Sequence, residues 1–189
     1  MNSLLVSLRM LLVLTVLTGV IYPLAITGLA QLFFPRQANG SVIEYAGGAV
    51  GSDLVGQNFT SDRYFWPRPS AVDYNPLPSG GSNLGPTSIA LQDKITERKA
   101  RLVFAGSSPD APPDLLLASG SGLDPHISPE AAFYQIDRVL NARGGLSEPR
   151  RQALEVLVQS HTEGPQWGLF GEPRVNVLRL NLALDSLLR

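Results

Sequence analysis

The 189-residue chain contains no cysteine. Disulfide bonds, thiolate zinc sites, cysteine nucleophiles and iron–sulfur clusters are therefore excluded. Its two histidines, His126 and His161, lie far apart in the sequence. Because a metal site needs several ligands at close spacing, we expect no metal site in this chain.

The chain also carries little net charge, −1 at pH 7. A nucleic-acid interface would need lysine and arginine clustered on one face. The densest basic groups, at residues 98–101 and 150–151, fall on predicted helices beside Glu97 and Glu148. We interpret them as solvated helix faces and expect no nucleic-acid partner.

No charged residue occurs between Arg9 and Arg36. A helix over residues 10–34 would rise about 37 Å, which exceeds the roughly 30 Å hydrocarbon core of a bilayer. We therefore predict a transmembrane anchor within residues 1–36, in contact with membrane lipid, and a soluble domain over residues 37–189. The alternative is a secretory signal cleaved near residues 28–30, but the apolar part of such a signal is only about 7–15 residues long.

Three residues within this span, Gly19, Pro23 and Thr27, recur every four residues. We expect Pro23 to kink the helix near Gly19. The three together would form a narrow face on which a helix of a partner protein can pack.

The charges that flank the span favour one orientation. Arg9 and the amino group precede it, whereas Arg36 is followed by Glu44 and Asp53 before the next basic residue. The positive-inside rule then predicts a cytoplasmic N-terminus and an exported soluble domain.

The soluble domain is predicted to be α+β, a small sheet packed by about three helices. Helices are expected over residues 87–104, 129–143 and 147–159, where serine, threonine and proline precede apolar positions. Short strands are expected within residues 42–55, at 115–118 and, from alternating leucines, over 175–184, with helical terminal residues as an alternative. Residues 59–86 hold five prolines and predict a long irregular loop, which is more often functional than idle.

Two loops of the sequence are glycine-rich, and the first of them is a candidate anion-binding element. The first glycine loop comprises Ser79, Gly80, Gly81, Ser82 and Asn83, and the second glycine loop spans residues 119–124. Successive backbone N–H groups ahead of a helix can hold an anion. Because no P-loop lysine follows the first loop, a structural turn is the alternative interpretation.

The sequence gives weaker indications of a hydrolytic site or of a site for a small solute. Asp124 and His126 could form a hydrolytic set with a nearby serine, which would make the chain an anchored hydrolase. An anchored binding module for a small solute is a further alternative. Neither is preferred over turn geometry, and no catalytic residue is predicted.

Several strings of residues resemble, in the same order along the whole chain, the C subunit of the Kdp potassium-transporting ATPase family. The strings are residues 17–23, 56–59, 64–71, 73–75, 79–87, 118–129, 173–178 and 180–185. Ser88 departs from the pattern, where the family has asparagine, but it remains small and polar.

The resemblance implies a non-catalytic accessory subunit of an inner-membrane complex that imports potassium with high affinity at the expense of ATP. Its expected partners are a channel-like subunit that carries the ion and a P-type ATPase subunit that hydrolyses ATP. The family's C subunit is described as an assembly partner and a catalytic chaperone that raises ATP affinity, without a tightly bound cofactor. The first glycine loop has been likened to a nucleotide-contacting signature.

The predicted orientation conflicts with a direct contact to nucleotide. A periplasmic domain does not meet ATP, so a structural or ion-entrance role is the alternative that the resemblance leaves open.

Overall fold

The computed structural model describes residues 2–45 and 47–187. The chain divides into two compact units, Met1–Val50 and Gly51–Arg189. We describe each unit by itself.

The N-terminal unit is dominated by one apolar helix. It consists of α1 (Asn2–Val16), a π-helical turn (Leu17–Ile21) and α2 (Tyr22–Phe33). The stretch Ser3–Phe33 is 31 residues long and apolar enough to cross a bilayer, and none of its apolar window is buried inside the protein. About 20 residues suffice for a membrane span, so this helix suggests a membrane anchor.

The π-helical turn lies where proline disturbs the helix. Pro23 has no N–H, and its ring crowds the carbonyl group of Gly19, four residues earlier. Next to it, the Tyr22 N–H bonds to the Leu17 carbonyl five residues back rather than four. A π turn holds one more residue than an α turn, so Gly19 is displaced around the helix from the line through Pro23 and Thr27. The packing face of these three residues stays a prediction.

A short helix and a hairpin follow the apolar helix. They are α3 (Pro35–Ala38), β1 (Val42–Tyr45) and β2 (Gly48–Ser52), and β1 and β2 form a two-stranded sheet. The strands lie within the range predicted for them.

The C-terminal unit packs helices around a small antiparallel sheet. The helices are α4 (Ile89–Phe104), α5 (Pro113–Leu116), α6 (Pro129–Tyr134), α7 (Ile136–Ala142), α8 (Glu148–Ser160) and α9 (Val177–Leu187). The strands are β3 (His126–Ile127), β4 (Thr162–Glu163) and β5 (Arg174–Asn176), in the order β3-β5-β4. In this sheet Val175 pairs with Ile127 on one side and Thr162 on the other. The predicted α+β class is confirmed.

One apolar core connects these elements. Its fully buried members include Phe65, Ile127, Val139, Leu154 and Leu180, which come from the irregular segment, the sheet and three helices. Residues 59–86 contain neither helix nor strand, as their prolines predict.

Two predicted strands are wrong. Residues 115–118 begin within α5, a single helical turn started by Pro113 and Asp114, although Leu115 and Leu116 are buried as expected. Residues 177–184 are helical rather than extended, and only 174–176 form a strand. The buried residues of α9 recur three and four positions apart, as in a helix: Val177, Leu178, Leu180, Asn181 and Leu184. The alternating leucines concealed that period.

The helix predicted over residues 129–143 is interrupted at Gln135. It forms two short helices, α6 and α7, and Gln135 is the C-cap of the first and the N-cap of the second. The predicted start is correct, because Ser128 Oγ accepts a hydrogen bond from the Ala131 N–H at 3.1 Å. The helices predicted at 87–104 and 147–159 are confirmed as α4 and α8.

Candidate functional site

Two buried side-chain amides hold Phe65 and Trp66 in the core of the C-terminal unit. The Phe65 N–H donates to Asn181 Oδ1 at 2.8 Å, and Asn181 Nδ2 donates to the Phe65 carbonyl at 3.0 Å. Likewise, the Trp66 N–H donates to Gln135 Oε1 at 2.7 Å, and Gln135 Nε2 donates to the Trp66 carbonyl at 3.1 Å. Each amide satisfies both backbone groups of one buried residue, as a neighbouring strand would.

A buried guanidinium lies beside the same tryptophan. Arg138 is 1% exposed, and its Cζ lies 4.0 Å from the centroid of the Trp66 ring. It donates to the Asp62 carbonyl at 2.8 Å, the Tyr64 carbonyl at 3.0 Å and Gln135 Oε1 at 2.6 Å. Burial lowers the pKa of Arg138 to about 10. Neutral oxygens and the tryptophan π face thus stabilise this cation and tie the irregular segment to α7.

A polar cleft of about 340 Å³ opens between α4 and the irregular segment. Its lining includes Lys94, Arg98 and Arg101 from α4, with Trp66 and Tyr74 opposite. The Arg101 Cζ lies 4.3 Å from the Trp66 ring centroid, and Arg98 Nη1 donates to a carbonyl group of α5 at 2.5 Å. Burial raises the pKa of Tyr74 to about 12.

The cleft carries more positive than negative charge. Asp73 and Glu97 also line it, but within the described residues no carboxylate forms an ion pair with its three basic side chains. Its volume is in the range of small-ligand pockets, and its charge suits an anion.

Lys99 and Arg101 are exposed, as the interpretation of residues 98–101 as a solvated helix face predicts, but that interpretation did not identify the cleft. Arg98 is half-buried, and burial lowers its pKa. The spacing of Lys94, Arg98 and Arg101, at i, i+4 and i+7, places them on one helix face and is the signal that could have identified it.

The two glycine loops pack against each other. The Gly80 N–H donates to the Ser121 carbonyl at 2.9 Å. A Cβ atom at Gly81 would lie 3.0 Å from the Gly120 carbonyl oxygen, and one at Gly122, whose φ is +69°, would lie 2.8 Å from the Gly80 oxygen. Close backbone approach therefore accounts for glycine at positions 81 and 122.

The structure places the five predicted binding residues in one stretch without helix, strand or turn. Ser79 and Asn83 are exposed, whereas Gly80, Gly81 and Ser82 are half-buried. Asn83 has a positive φ of 52°, which asparagine tolerates. Because the Gly80 N–H is already bonded to the second loop, it is not a free donor for a phosphate. A nucleotide contact at this loop stays a prediction.

Asp124 connects the end of the second glycine loop to two basic side chains. Arg68 Nη1 donates to Asp124 Oδ2 at 3.1 Å, the His126 N–H donates to Oδ1 at 3.0 Å, and His126 Nδ1 lies 3.6 Å from Oδ1. Burial alone would raise the pKa of Asp124, but the contacts with His126 and Arg68 outweigh it, and the pKa lies below its ordinary value.

This junction does not have the geometry of a hydrolytic set. Within residues 2–45 and 47–187, His126 forms no hydrogen bond with a serine hydroxyl. In the same ranges no three histidine, aspartate or glutamate side chains are grouped so as to hold a metal ion. The contacts of Asp124 are those of a structural junction.

Comparison with known proteins identifies relatives along nearly the whole chain. The family model described as "KdpC: K+-transporting ATPase, c chain" matches residues 4–186. The chain is 56% identical over 186 residues to the potassium-transporting ATPase KdpC subunit of Methylococcus capsulatus, covering 96% of each chain. It is 54% identical over 180 residues to that of Dechloromonas aromatica, covering 92% of this chain and 91% of the relative. It is 52% identical over 192 residues to that of Geobacter sulfurreducens, covering all of both.

The long apolar helix and the domain that follows it define a class, that of α+β proteins with a candidate membrane span. Within that class, the chain belongs to the KdpC family, the c chain of K+-transporting ATPases. The resemblance drawn from the sequence is confirmed.

Proposed function

We propose that this chain is a non-catalytic accessory subunit of a high-affinity, ATP-driven potassium import complex of the inner membrane. Its membership of the KdpC family supports a place in such a complex. In this proposal a channel-like subunit carries potassium and a P-type ATPase subunit hydrolyses ATP, and the chain assists their assembly. The apolar helix Ser3–Phe33, unburied over its apolar window, is available for packing against partner helices.

The proposed topology is a cytoplasmic N-terminus and a periplasmic C-terminal unit. It is supported by Arg9 ahead of the span, and by Glu44 and Asp53 beyond Arg36. In this arrangement the first glycine loop is separated from cytoplasmic ATP.

The chain then raises the ATP affinity of the P-type subunit indirectly, as a chaperone that acts through the assembly. The observation that carries this proposal is the 2.9 Å bond between the Gly80 N–H and the Ser121 carbonyl. A loop that contacts nucleotide through its backbone needs free N–H groups, whereas the Gly80 N–H of this loop donates to the second glycine loop. We therefore assign the first glycine loop a structural role.

Direct contact with nucleotide is the second candidate, and the cleft beside α4 favours it. Lys94, Arg98 and Arg101 face a cavity of about 340 Å³ that also has an aromatic wall. The basic side chains suit the phosphates of a nucleotide. The aromatic ring suits its base. This candidate requires a cytoplasmic C-terminal unit.

The first experiment is purification of the tagged chain from membranes. We expect it to bring down two larger membrane proteins and ATPase activity. Activity in the chain purified alone, as expected of an anchored hydrolase, would contradict the proposal.

The second experiment separates the two modes of action on ATP. Gly80→Ala adds a Cβ with no atom within 4 Å, so it leaves the fold intact while altering the loop. Under the indirect mode, the ATP KM of the assembled complex is unchanged by Gly80→Ala and by Arg101→Ala. A KM increase of about tenfold in Arg101→Ala alone would establish the cleft as a nucleotide site, and the same increase in Gly80→Ala alone would establish the loop.

Topology is tested with one engineered cysteine. Because the chain has none, Ser82→Cys is labelled without background. We expect an impermeant maleimide to label this cysteine in cells whose outer membrane is permeabilised and whose inner membrane is intact. Labelling that needs disruption of the inner membrane would reverse the proposed orientation.

A further inference from the structure

The loop between β4 and β5 presents three large apolar side chains to solvent. Trp167 is 87% exposed, Leu169 81% and Phe170 62%. They belong to residues 164–171, a stretch without any charged side chain between Glu163 and Glu172. We call this stretch the aromatic tip. Soluble surfaces rarely display such side chains together without a partner.

Backbone hydrogen bonds within the aromatic tip hold it in a turn. The N–H groups of Gln166 and Phe170 donate to each other's carbonyl groups, at 2.8 and 3.0 Å. The Gly168 N–H donates to the Pro165 carbonyl at 3.0 Å, and the Leu169 N–H donates to the Gln166 carbonyl at 3.1 Å. Positive φ values at Trp167 (+53°) and Gly168 (+73°) make this tight turn. The side chains are thus exposed by a defined turn rather than by a loose loop.

The two aromatic rings pack against each other. Trp167 and Phe170 meet edge to face, with centroids 6.0 Å apart and planes at 80°. This contact sets both rings side by side while leaving most of their surface open. The charged groups stand behind the tip, where Arg174 pairs with Glu163 at 3.2 Å.

We propose that the aromatic tip inserts into the interface of a lipid bilayer. Entry into a membrane requires that backbone polar groups be satisfied internally, and four N–H groups of the tip are. Tryptophan is enriched at membrane interfaces, where its ring is apolar and its N–H stays wet. The candidate span Ser3–Phe33 in the same chain would hold the domain at a membrane.

The size and shape of the tip favour lipid over a protein partner. A stable protein interface buries about 1,200–2,000 Å² in total, which three side chains on a convex turn do not provide. A tethered domain needs far less area to engage a surface, because the tether keeps its local concentration high. The inference does not depend on which side of the membrane the domain occupies.

A pair of cysteine variants tests the proposal in the full chain, reconstituted alone into nanodiscs of phosphatidylcholine and phosphatidylglycerol. Leu169→Cys places a nitrobenzoxadiazole label on the tip, and Phe104→Cys places it at the end of α4, on a side chain that is 95% exposed. We expect iodide quenching of the tip label to be about threefold weaker than that of the control label, since the interface excludes the aqueous quencher. Brominated lipid should quench the tip label and leave the control unaffected.

Native fluorescence provides a second measurement without a label. Brominated lipid should quench part of the emission of the unmodified chain, and Trp167→Phe should abolish that part, since the other tryptophan, Trp66, is buried in the core. Equal iodide quenching at both labels would overturn the proposal. Protection of the tip label from iodide only when the larger subunits are present in the nanodisc would also overturn the proposal. It would show that the tip contacts protein.

Discussion

The side-chain amide of Asn181 in α9 forms two hydrogen bonds with the backbone of Phe65, 116 residues earlier in the chain. Both partners are buried, with exposed fractions of 2% for Asn181 and 0% for Phe65. An irregular, proline-rich segment thereby gains the backbone pairing that a strand would have supplied. This pairing is the basis of our first prediction.

Asn181→Ala should lower the free energy of unfolding of the C-terminal unit by about 2–4 kcal/mol, because it leaves two buried backbone groups unpaired. Urea unfolding of the full chain in detergent, followed by tryptophan fluorescence, measures this loss. The matched control is Asn141→Ala on the exposed side of α7, expected within about 0.5 kcal/mol of the unmodified chain. Similar values for the two variants would mean that the Asn181 amide does not hold Phe65.

Gly122→Ala should lower the free energy of unfolding by about 2–4 kcal/mol through backbone strain and a steric clash. Its φ is +69°, and the new Cβ would lie 2.6 Å from Val72 Cγ2 and 2.8 Å from the Gly80 oxygen. Gly120→Ala is the control from the same loop, because a Cβ there meets no atom within 4 Å. Urea unfolding distinguishes the two, and equal midpoints would contradict the described packing of the glycine loops.

Asp124 should contribute to the loss of folding stability at acid pH. Its folded pKa lies below the ordinary value, so its stabilising contribution is present above about pH 4 and is lost as the pH falls through the folded pKa. Asp124→Asn removes this contribution and should flatten the decline in stability below about pH 4. Thermal unfolding between pH 6 and pH 3 (a range that brackets the ordinary value of about 3.9) measures it. Asp93→Asn, an exposed residue outside this cluster, should retain the slope of the unmodified chain.

Gly19→Leu should reduce co-purification of the larger subunits by about tenfold if Gly19 belongs to a packing face of the anchor. The substitution fits the isolated chain, since a Cβ at Gly19 meets no atom within 4 Å outside its own helix. Gly28→Leu is the control. It has equal space, and it lies about 100° around α2 from Thr27. Equal loss in both variants would point to general crowding of the span instead of a specific face.

The sequence predicted those features that depend on neighbouring residues. The uncharged stretch between Arg9 and Arg36 indicated the apolar helix, and Pro23 indicated its irregularity. Ser128 and Pro129 marked the start of α6, and Ser147 and Pro149 marked that of α8. The prolines of residues 59–86 excluded regular structure there. Each of these follows from local chemistry, such as a missing N–H, a capping hydroxyl or an apolar run of sufficient length.

The errors in the predicted secondary structure arose where tertiary contacts determine the local conformation. Alternating leucines over 178–184 suit a strand, yet the buried positions 177, 178, 180, 181 and 184 follow the period of a helix. The pattern of apolar residues does not predict the break between α6 and α7. The break lies at Gln135, whose amide pairs with Trp66, 69 residues earlier in the chain. A hydrophobic period indicates that a residue is buried but not what it faces.

The same division applies to the function. By itself, the sequence determined the apolar span, the α+β class and the family, because these rest on composition, local propensity and ordered strings of residues. Only the tertiary structure decided that the two glycine loops close on each other, that Lys94, Arg98 and Arg101 share a cleft with Trp66, and that the aromatic tip stands exposed. The first two relationships join residues distant in the chain, and the exposure of the tip depends on how the rest of the domain packs. Their geometry is set by packing rather than by spacing.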